Sequence, residues 1–300
     1  MIPRMHRRHA LTLIAIAPVV ATLPGCSSGD AGTGLPTISV GDRALAFGRD
    51  GTVVELKSAE SRIEQVATET TPGWSYGGNL LPDGRPVQPV GVLVTSTRRF
   101  VLEPGRRRVT VLDRRGTLLG ELEPSTPSGN SPLYAPAEGP DGRVWFIDRR
   151  NRRLESFAAE GGPAGGFALP ADAALPRAFA FDAYGRLHVL DAAGVVSMVD
   201  AQGRSIGRYG ERGSGSGQML RPHAIEIDAG GIAVIADGTM AALHCFDRDG
   251  RHVLSRRVAT AAGAPGVPRS LARRPDGGVY VHAVADPTRG AAYARFVHLS

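Results

Sequence analysis

From about residue 40 onward, short apolar runs rich in Val, Ile, Leu and Phe alternate with turns carrying Asp and Gly. Runs of this length bounded by turn residues predict β-strands, because branched and aromatic side chains suit a pleated, half-buried backbone. Many of the runs lack strict polar alternation, as in Val144-Trp-Phe-Ile147 and Leu187-His-Val-Leu190. Strands of that kind bury both faces. With 39 Gly and 22 Pro in 300 residues, a mostly helical chain is excluded, since both residues are costly inside helices.

The runs repeat. One unit recurs: a Pro, an apolar strand, an Asp/Gly turn, a second and a third strand, and another Asp-x-x-Gly turn. Its clearest copies are Pro176-Arg-Ala-Phe-Ala-Phe-Asp-Ala-Tyr-Gly185 with Arg-Leu-His-Val-Leu-Asp191, and Pro222-His-Ala-Ile-Glu-Ile-Asp-Ala-Gly-Gly231 with Ile-Ala-Val-Ile-Ala-Asp237. The anchoring prolines are Pro89, Pro136, Pro176, Pro222 and Pro268, spaced by 47, 40, 46 and 46 residues. A further step back reaches Arg43, beside Ala44-Leu-Ala-Phe47 and the Asp50-Gly51 turn, which makes six units. Four-stranded antiparallel sheets recurring at this period, buried on both faces, predict an all-β, six-bladed β-propeller over 39–300. Residues 37–40 are expected to lend an outer strand to the last blade and close the ring, removing its free edges.

These units resemble NHL repeats. The similarity is best over Gly217-Gln-Met-Leu-Arg-Pro-His-Ala-Ile-Glu-Ile-Asp-Ala-Gly-Gly-Ile-Ala-Val-Ile-Ala-Asp237 with Cys245-Phe-Asp-Arg-Asp-Gly250, and next best from Tyr134 to Gly161. The resemblance covers about residues 40–300 and implies the fold; propellers of this kind include binders, scaffolds, lactonases and lyases.

The N-terminus carries an address. Arg4, Arg7 and Arg8 precede an apolar stretch over 11–23. Thirteen helical residues would reach only ~20 Å, short of the ~30 Å hydrocarbon slab, so 1–25 predicts an export signal and not a spanning helix. It ends in Leu23-Pro24-Gly25-Cys26, which resembles a bacterial lipoprotein box with Cys26 as the lipidated residue. Residues 26–38 predict a flexible tether of small residues. The expected location is the cell envelope, exported and lipid-anchored to a bacterial membrane. Loss of 1–25 removes three Arg and no acid, taking the net charge from +6 to +3. That modest excess predicts no nucleic-acid partner.

Several chemistries are excluded by the sequence. Lys57 is the only lysine, so there is no phosphate loop of the Gly-x-x-x-x-Gly-Lys type. Two cysteines, Cys26 and Cys245, build neither a disulfide framework nor a four-Cys zinc site. Gly73-Trp-Ser-Tyr-Gly77 matches the nucleophile-elbow spacing, but that elbow needs a strand-to-helix turn and no helix follows. Gly213-Ser-Gly-Ser-Gly217 reads as a flexible loop.

Repetition sorts the polar residues. Asp148, Asp191 and Asp237 each end a second strand, and Asp113, Asp200 and Asp247 each open a turn; these predict local backbone capping. The position after each anchoring Pro varies: Val90, Ala137, Arg177, His223 and Arg269. Arg177, His223 and Arg269, with Glu138 nearby, are expected to face one mouth of the channel and take an anionic ligand. Segments 68–88, 123–134, 161–175 and 260–267 read as long inter-blade loops on that face. Trp74 and Tyr76 are candidate aromatic anchors there, beside the clusters Arg106-Arg107-Arg108 and Arg149 to Arg153, of which Arg150 and Arg152 are binding candidates.

The expected function is a non-catalytic binding or scaffold module, monomeric, for an envelope protein or an anionic glycan or lipid headgroup, with no cofactor. The alternative is a metal-dependent propeller enzyme. NHL-type lyases that cleave peptidyl-hydroxyglycine place metal-binding His after the anchoring Pro, as in Pro222-His223, although Arg177, Arg269 and Ala137 hold the counterpart positions. Gluconolactonase-like propellers bind a divalent metal through Glu, Asn and Asp; Glu138 would begin such a set, while Asn79, Asn130 and Asn151 all lie outside the predicted innermost strands.

Overall fold

The computed structural model describes residues 39–40, 43–47, 52–57, 60–67, 72–77, 89–103, 108–122, 133–173, 175–258, 266–273, 277–286 and 291–297. The predicted signal, the tether and Cys26 lie outside the described residues, as do Arg106 and Arg107.

The described residues form a β-propeller of antiparallel four-stranded blades. Five of the sheets are each built from four consecutive strands, within 43–77, 91–122, 133–168, 176–209 and 222–257. A further four-stranded sheet joins the two ends of the chain: its strands Val267–Arg273, Val279–Asp286 and Ala291–Val297 are extended by Ser39–Val40. In that pairing Ser39 lies opposite Tyr293 and Val40 opposite Ala292. The N-terminal strand thus occupies an outer edge that would otherwise display unpaired N–H and C=O groups.

The first strand of each consecutive sheet is innermost, as is Val267–Arg273 in the composite one. Each innermost strand neighbours the next, and Val267–Arg273 neighbours Arg43–Phe47. These strands therefore surround a central axis.

Apolar clusters fill the spaces between consecutive sheets. Phe100, Leu102, Val109 and Val111 meet Leu133, Val144, Phe146 and Phe157 between the second and third. Ala178, Ala180, Leu190 and Val196 meet Ile225, Ile227, Ile235 and Phe246 between the fourth and fifth. This explains the absent polar alternation: the second strands Val144–Asp148, Leu187–Asp191 and Ala233–Asp237 are buried at every position. Burying one such Leu or Phe is worth about 1.5–3 kcal/mol.

The repeated aspartates cap the backbone as expected. Asp191 accepts from the N–H groups of Ala193 and Val195, and Asp200 from those of Gln202 and Arg204. Asp237 accepts from Thr239 and Met240 with one oxygen and from Leu220 and Arg221 with the other. Burial alone would raise the Asp237 pKa, but these four donors outweigh it and hold the carboxyl below its ordinary range.

Two expectations about loops need correction. Trp74–Gly77 is the fourth strand of the first sheet, paired with Arg62–Gln65. Trp74 and Tyr76 pack against the cluster between the first two sheets, so they are not loop-borne anchors. The Gly-x-Ser-x-Gly match lies within this strand, with Ser75 exposed along it and no elbow. Segment 161–175 likewise contains the outermost strand Pro163–Ala168 of the third sheet.

Candidate functional site

The innermost strands give the site its geometry. Pro176 pairs with Asp191, Pro222 with Asp237 and Pro268 with Ala283, and in each strand the ladder slips one residue immediately afterwards. Arg177, His223 and Arg269 are the extra residues at those slips. A β-bulge leaves one residue outside the ladder and re-aims its side chain, which gives the three predicted residues equivalent places at one end of the channel. Arg177 and Arg269 are exposed, and His223 is half-buried.

His223 lies beside Arg269. Burial pushes its imidazole pKa down, against hydrogen bonds from the ring to the backbone carbonyls of Arg221 and Arg269. Nδ1 is 3.5 Å from the Arg221 carbonyl oxygen, and Nε2 is buried without a hydrogen-bond partner. A further cation, from the cluster Arg149 to Arg153 expected on this face, joins this end. Arg149 stacks 4.3 Å from the Tyr134 ring centroid and donates to the carbonyls of Pro176 and Arg177. It ties the third blade to the fourth beside Arg177.

The third sheet breaks the proline rule. There Leu133, not Pro136, pairs with the aspartate that ends the second strand, Asp148. Pro136 sits inside the strand, next to Ala135 with φ of 45°, where the ladder is irregular. Ala137 is therefore no counterpart of Arg177. Glu138 pairs with Val144 at the far end of its strand, away from the mouth that carries Arg177, His223 and Arg269. Nor does Arg152 stand free for a ligand: its guanidinium donates to the carbonyls of Pro170 and Ala171, bracing the connection to the fourth blade. Arg150 is exposed on the adjacent turn.

The far end holds the more informative group. The next-to-last residues of the innermost strands are Ala46, Leu93, Ala137, Ala180, Glu226 and Ala272. Glu226 is the one ionisable side chain at this level. The other five are four alanines and a leucine, of which Ala46, Leu93, Ala137 and Ala180 pack into the clusters between sheets. Glu226 is half-buried, beside the neighbouring innermost strand that ends in Arg273. Burial pushes its pKa up to about 7, opposed by the Ile227 N–H that it accepts at 3.2 Å and by the charge of Arg273. Arg273 ends the neighbouring innermost strand and also acts on Asp228, whose pKa burial raises. A carboxyl that exchanges its proton near neutrality suits general acid–base work. The sequence hid it, because Glu226 occupies an ordinary polar position in the best-matching repeat; comparing that one position across units would have exposed it.

A divalent metal, the cofactor of the enzymatic alternative, does not fit this donor set. Among the described residues, no three His, Cys, Asp or Glu side chains converge closely enough to hold an ion. His223 and Glu138 stand at opposite ends of their strands.

No protein-family model matches this sequence, and no curated protein matches it either. Solved structures do. Virginiamycin B lyase from Staphylococcus aureus aligns over 88% of this chain and 89% of its own, with TM-score 0.59 and 12% identity. XC5397, a gluconolactonase from Xanthomonas campestris, aligns over 87% and 90%, with TM-score 0.58 and 16% identity. Regucalcin, a calcium-binding protein from Agrobacterium tumefaciens, aligns over 86% and 89%, with TM-score 0.59 and 15% identity. The likeness is one of fold.

Proposed function

We propose that this chain is a six-bladed propeller enzyme, a lactonase-like hydrolase acting on a small carboxylate- or ester-bearing ligand held in the channel. The observation that carries the reading is Glu226, a half-buried carboxyl on an innermost strand beside Arg273, with a pKa near 7. In its ionised form the carboxylate takes a proton from water as that water attacks the carbonyl carbon. Arg273 supplies positive charge close to Glu226, where the oxyanion would develop. The naming of a gluconolactonase and a lyase among propellers of the same architecture supports the class. Because no described donor set fits a metal, the mechanism rests on these side chains alone.

The experiment is hydrolysis of a panel of aldonolactones by the purified propeller. Turnover rises with pH through about 7, as the base form of Glu226 fills. Glu226→Gln lowers kcat by about 10²-fold or more, the usual contribution of a general base. Full activity in that variant refutes the reading.

A second reading, binding without turnover, is favoured by the cationic mouth formed by Arg149, Arg177 and Arg269. It predicts anion affinity and no hydrolysis, and the same assay separates the two. The membrane address is also part of the proposal: export, with acylation at Cys26. Cys26→Ser moves the protein into the soluble fraction on cell fractionation, and retention on membranes refutes the anchor.

A further inference from the structure

The fifth blade carries a second cluster of reactive side chains at its outer edge. The connection between the fourth and fifth blades is not the loose loop its Gly-Ser composition predicts. Glu211–Arg212 and Gln218–Met219 pair in parallel, the Gly213 N–H donates to the Met219 carbonyl, and the Gln218 side chain holds both the Gly215 N–H and Glu211. This tied segment lays Ser216 against the outermost strand His252–Arg257, with Ser216 Oγ 3.1 Å from His252 Nδ1.

The contact extends inward. His252 Nε2 is 2.8 Å from Ser255 Oγ, and Ser255 Oγ is 2.8 Å from Nδ1 of the buried His244. One proton order satisfies all three contacts. Ser216 donates to His252 Nδ1, His252 Nε2–H donates to Ser255, and Ser255 donates to His244. The imidazole between the two serines is held on its other sides as well. Phe246 meets it edge-on at 5.6 Å between centroids. A Cβ on Gly217, where φ is +74°, would come within 3.0–3.1 Å of His252 Cβ and Cγ. Glycine thus permits both the turn and the close approach that bring the neighbouring serine to the ring.

We propose that Ser216 is a nucleophile activated by His252, with Ser255 as a positioning residue, forming a second acyl-transfer site for small carboxylic esters. Oγ of Ser216 bonds to the ester carbonyl carbon while its proton passes to His252 Nδ1. The C–O bond to the alcohol then breaks, and the alcohol leaves with that proton. Water, deprotonated by the same nitrogen, releases the acid and restores the serine. Ser255 accepts the Nε2–H throughout, which fixes the tautomer that leaves Nδ1 free to act as base. The N–H of Gly217 follows the nucleophile in the chain, the place of one oxyanion donor in many serine hydrolases. The site sits in the open and lacks a walled acyl pocket, so it favours small, unselective esters. It is independent of Glu226, which lies on the innermost strand of the same sheet, three strand spacings or ~14 Å inward.

The test uses a small fluorophosphonate probe and p-nitrophenyl acetate on the intact protein, with labelled peptides mapped by mass spectrometry. The probe is expected on Ser216 at least 10-fold faster than on Ser214, the exposed serine two residues away. Ser216→Ala abolishes labelling and His252→Gln, which keeps the fold's polar contacts, slows it at least 10-fold. Ser255→Ala shifts the pH midpoint of the labelling rate, a change that a purely structural serine would not produce. Glu226→Gln leaves labelling unchanged even where it abolishes lactone turnover, so the two sites fail separately. Equal labelling of Ser214 and Ser216, or unaltered labelling in His252→Gln, overturns the proposal.

Discussion

The fourth and fifth blades are the best-matched pair in the molecule, and they differ at the positions where chemistry would need them to. Both begin on a Pro paired with an Asp, both slip at the next residue, and both cap their turns with aspartate. At the slip one has Arg177 and the other His223. Two positions before the inner turn, one has Ala180 and the other Glu226.

Their histidines differ in the same sense. His188 of the fourth blade is sealed: Nδ1 is 2.8 Å from the buried Tyr209 hydroxyl, and Nε2 is 3.5 Å from Asp182, which also holds Arg186. Burial alone would raise the Asp182 pKa, but His188 and Arg186 together drive it far below its ordinary range. Burial likewise drives the Tyr209 hydroxyl far above its own. This network ends inside the protein. The histidines of the fifth blade lead outward through Ser255 to the exposed Ser216. Shared positions maintain the architecture, and the departures from them mark the candidate sites.

Stability measurements sharpen this contrast. The largest effect is expected from Glu226→Gln. A carboxyl whose pKa is higher folded than unfolded favours folding while protonated, and that benefit is lost as pH rises from about 4.5 to about 7. The variant, free of this loss, is therefore more stable than the parent at pH 8 by about 1–3 kcal/mol and nearly equal to it at pH 4, read by urea denaturation. Activity lost while stability is gained is the signature of a strained functional residue.

Next comes Tyr209→Phe. It strands the buried Nδ1 of His188 and costs about 1–3 kcal/mol. Ser216→Ala, at the exposed end of the other network, costs under about 1 kcal/mol. A reversed order would break the distinction between sealed and open networks. The smallest effect belongs to Arg177→Ala with Arg269→Ala. Both side chains are exposed, so Tm stays within a degree or two while anion affinity measured by calorimetry falls.

Much of this was legible in the chain. The Asp-x-x-Gly turns, the doubly buried strands and the N-terminal strand that completes the last sheet all follow from period and pattern. Pro136 misled because the third sheet carries its irregularity inside the strand, at Ala135, so the proline marks a different level. Trp74 and Tyr76 were hidden because their strand lies in a stretch rich in Pro and Gly. The Ser216–His252 pair joins residues 36 apart in sequence, which only the assembled sheets bring together.

The most direct test of the account is the titration of Glu226 itself, followed by carboxyl carbon NMR with Glu226→Gln used to assign the resonance. The account predicts a midpoint near 7. A midpoint at the ordinary value of about 4.5 would contradict it, since Glu226 would then be a plain solvated anion.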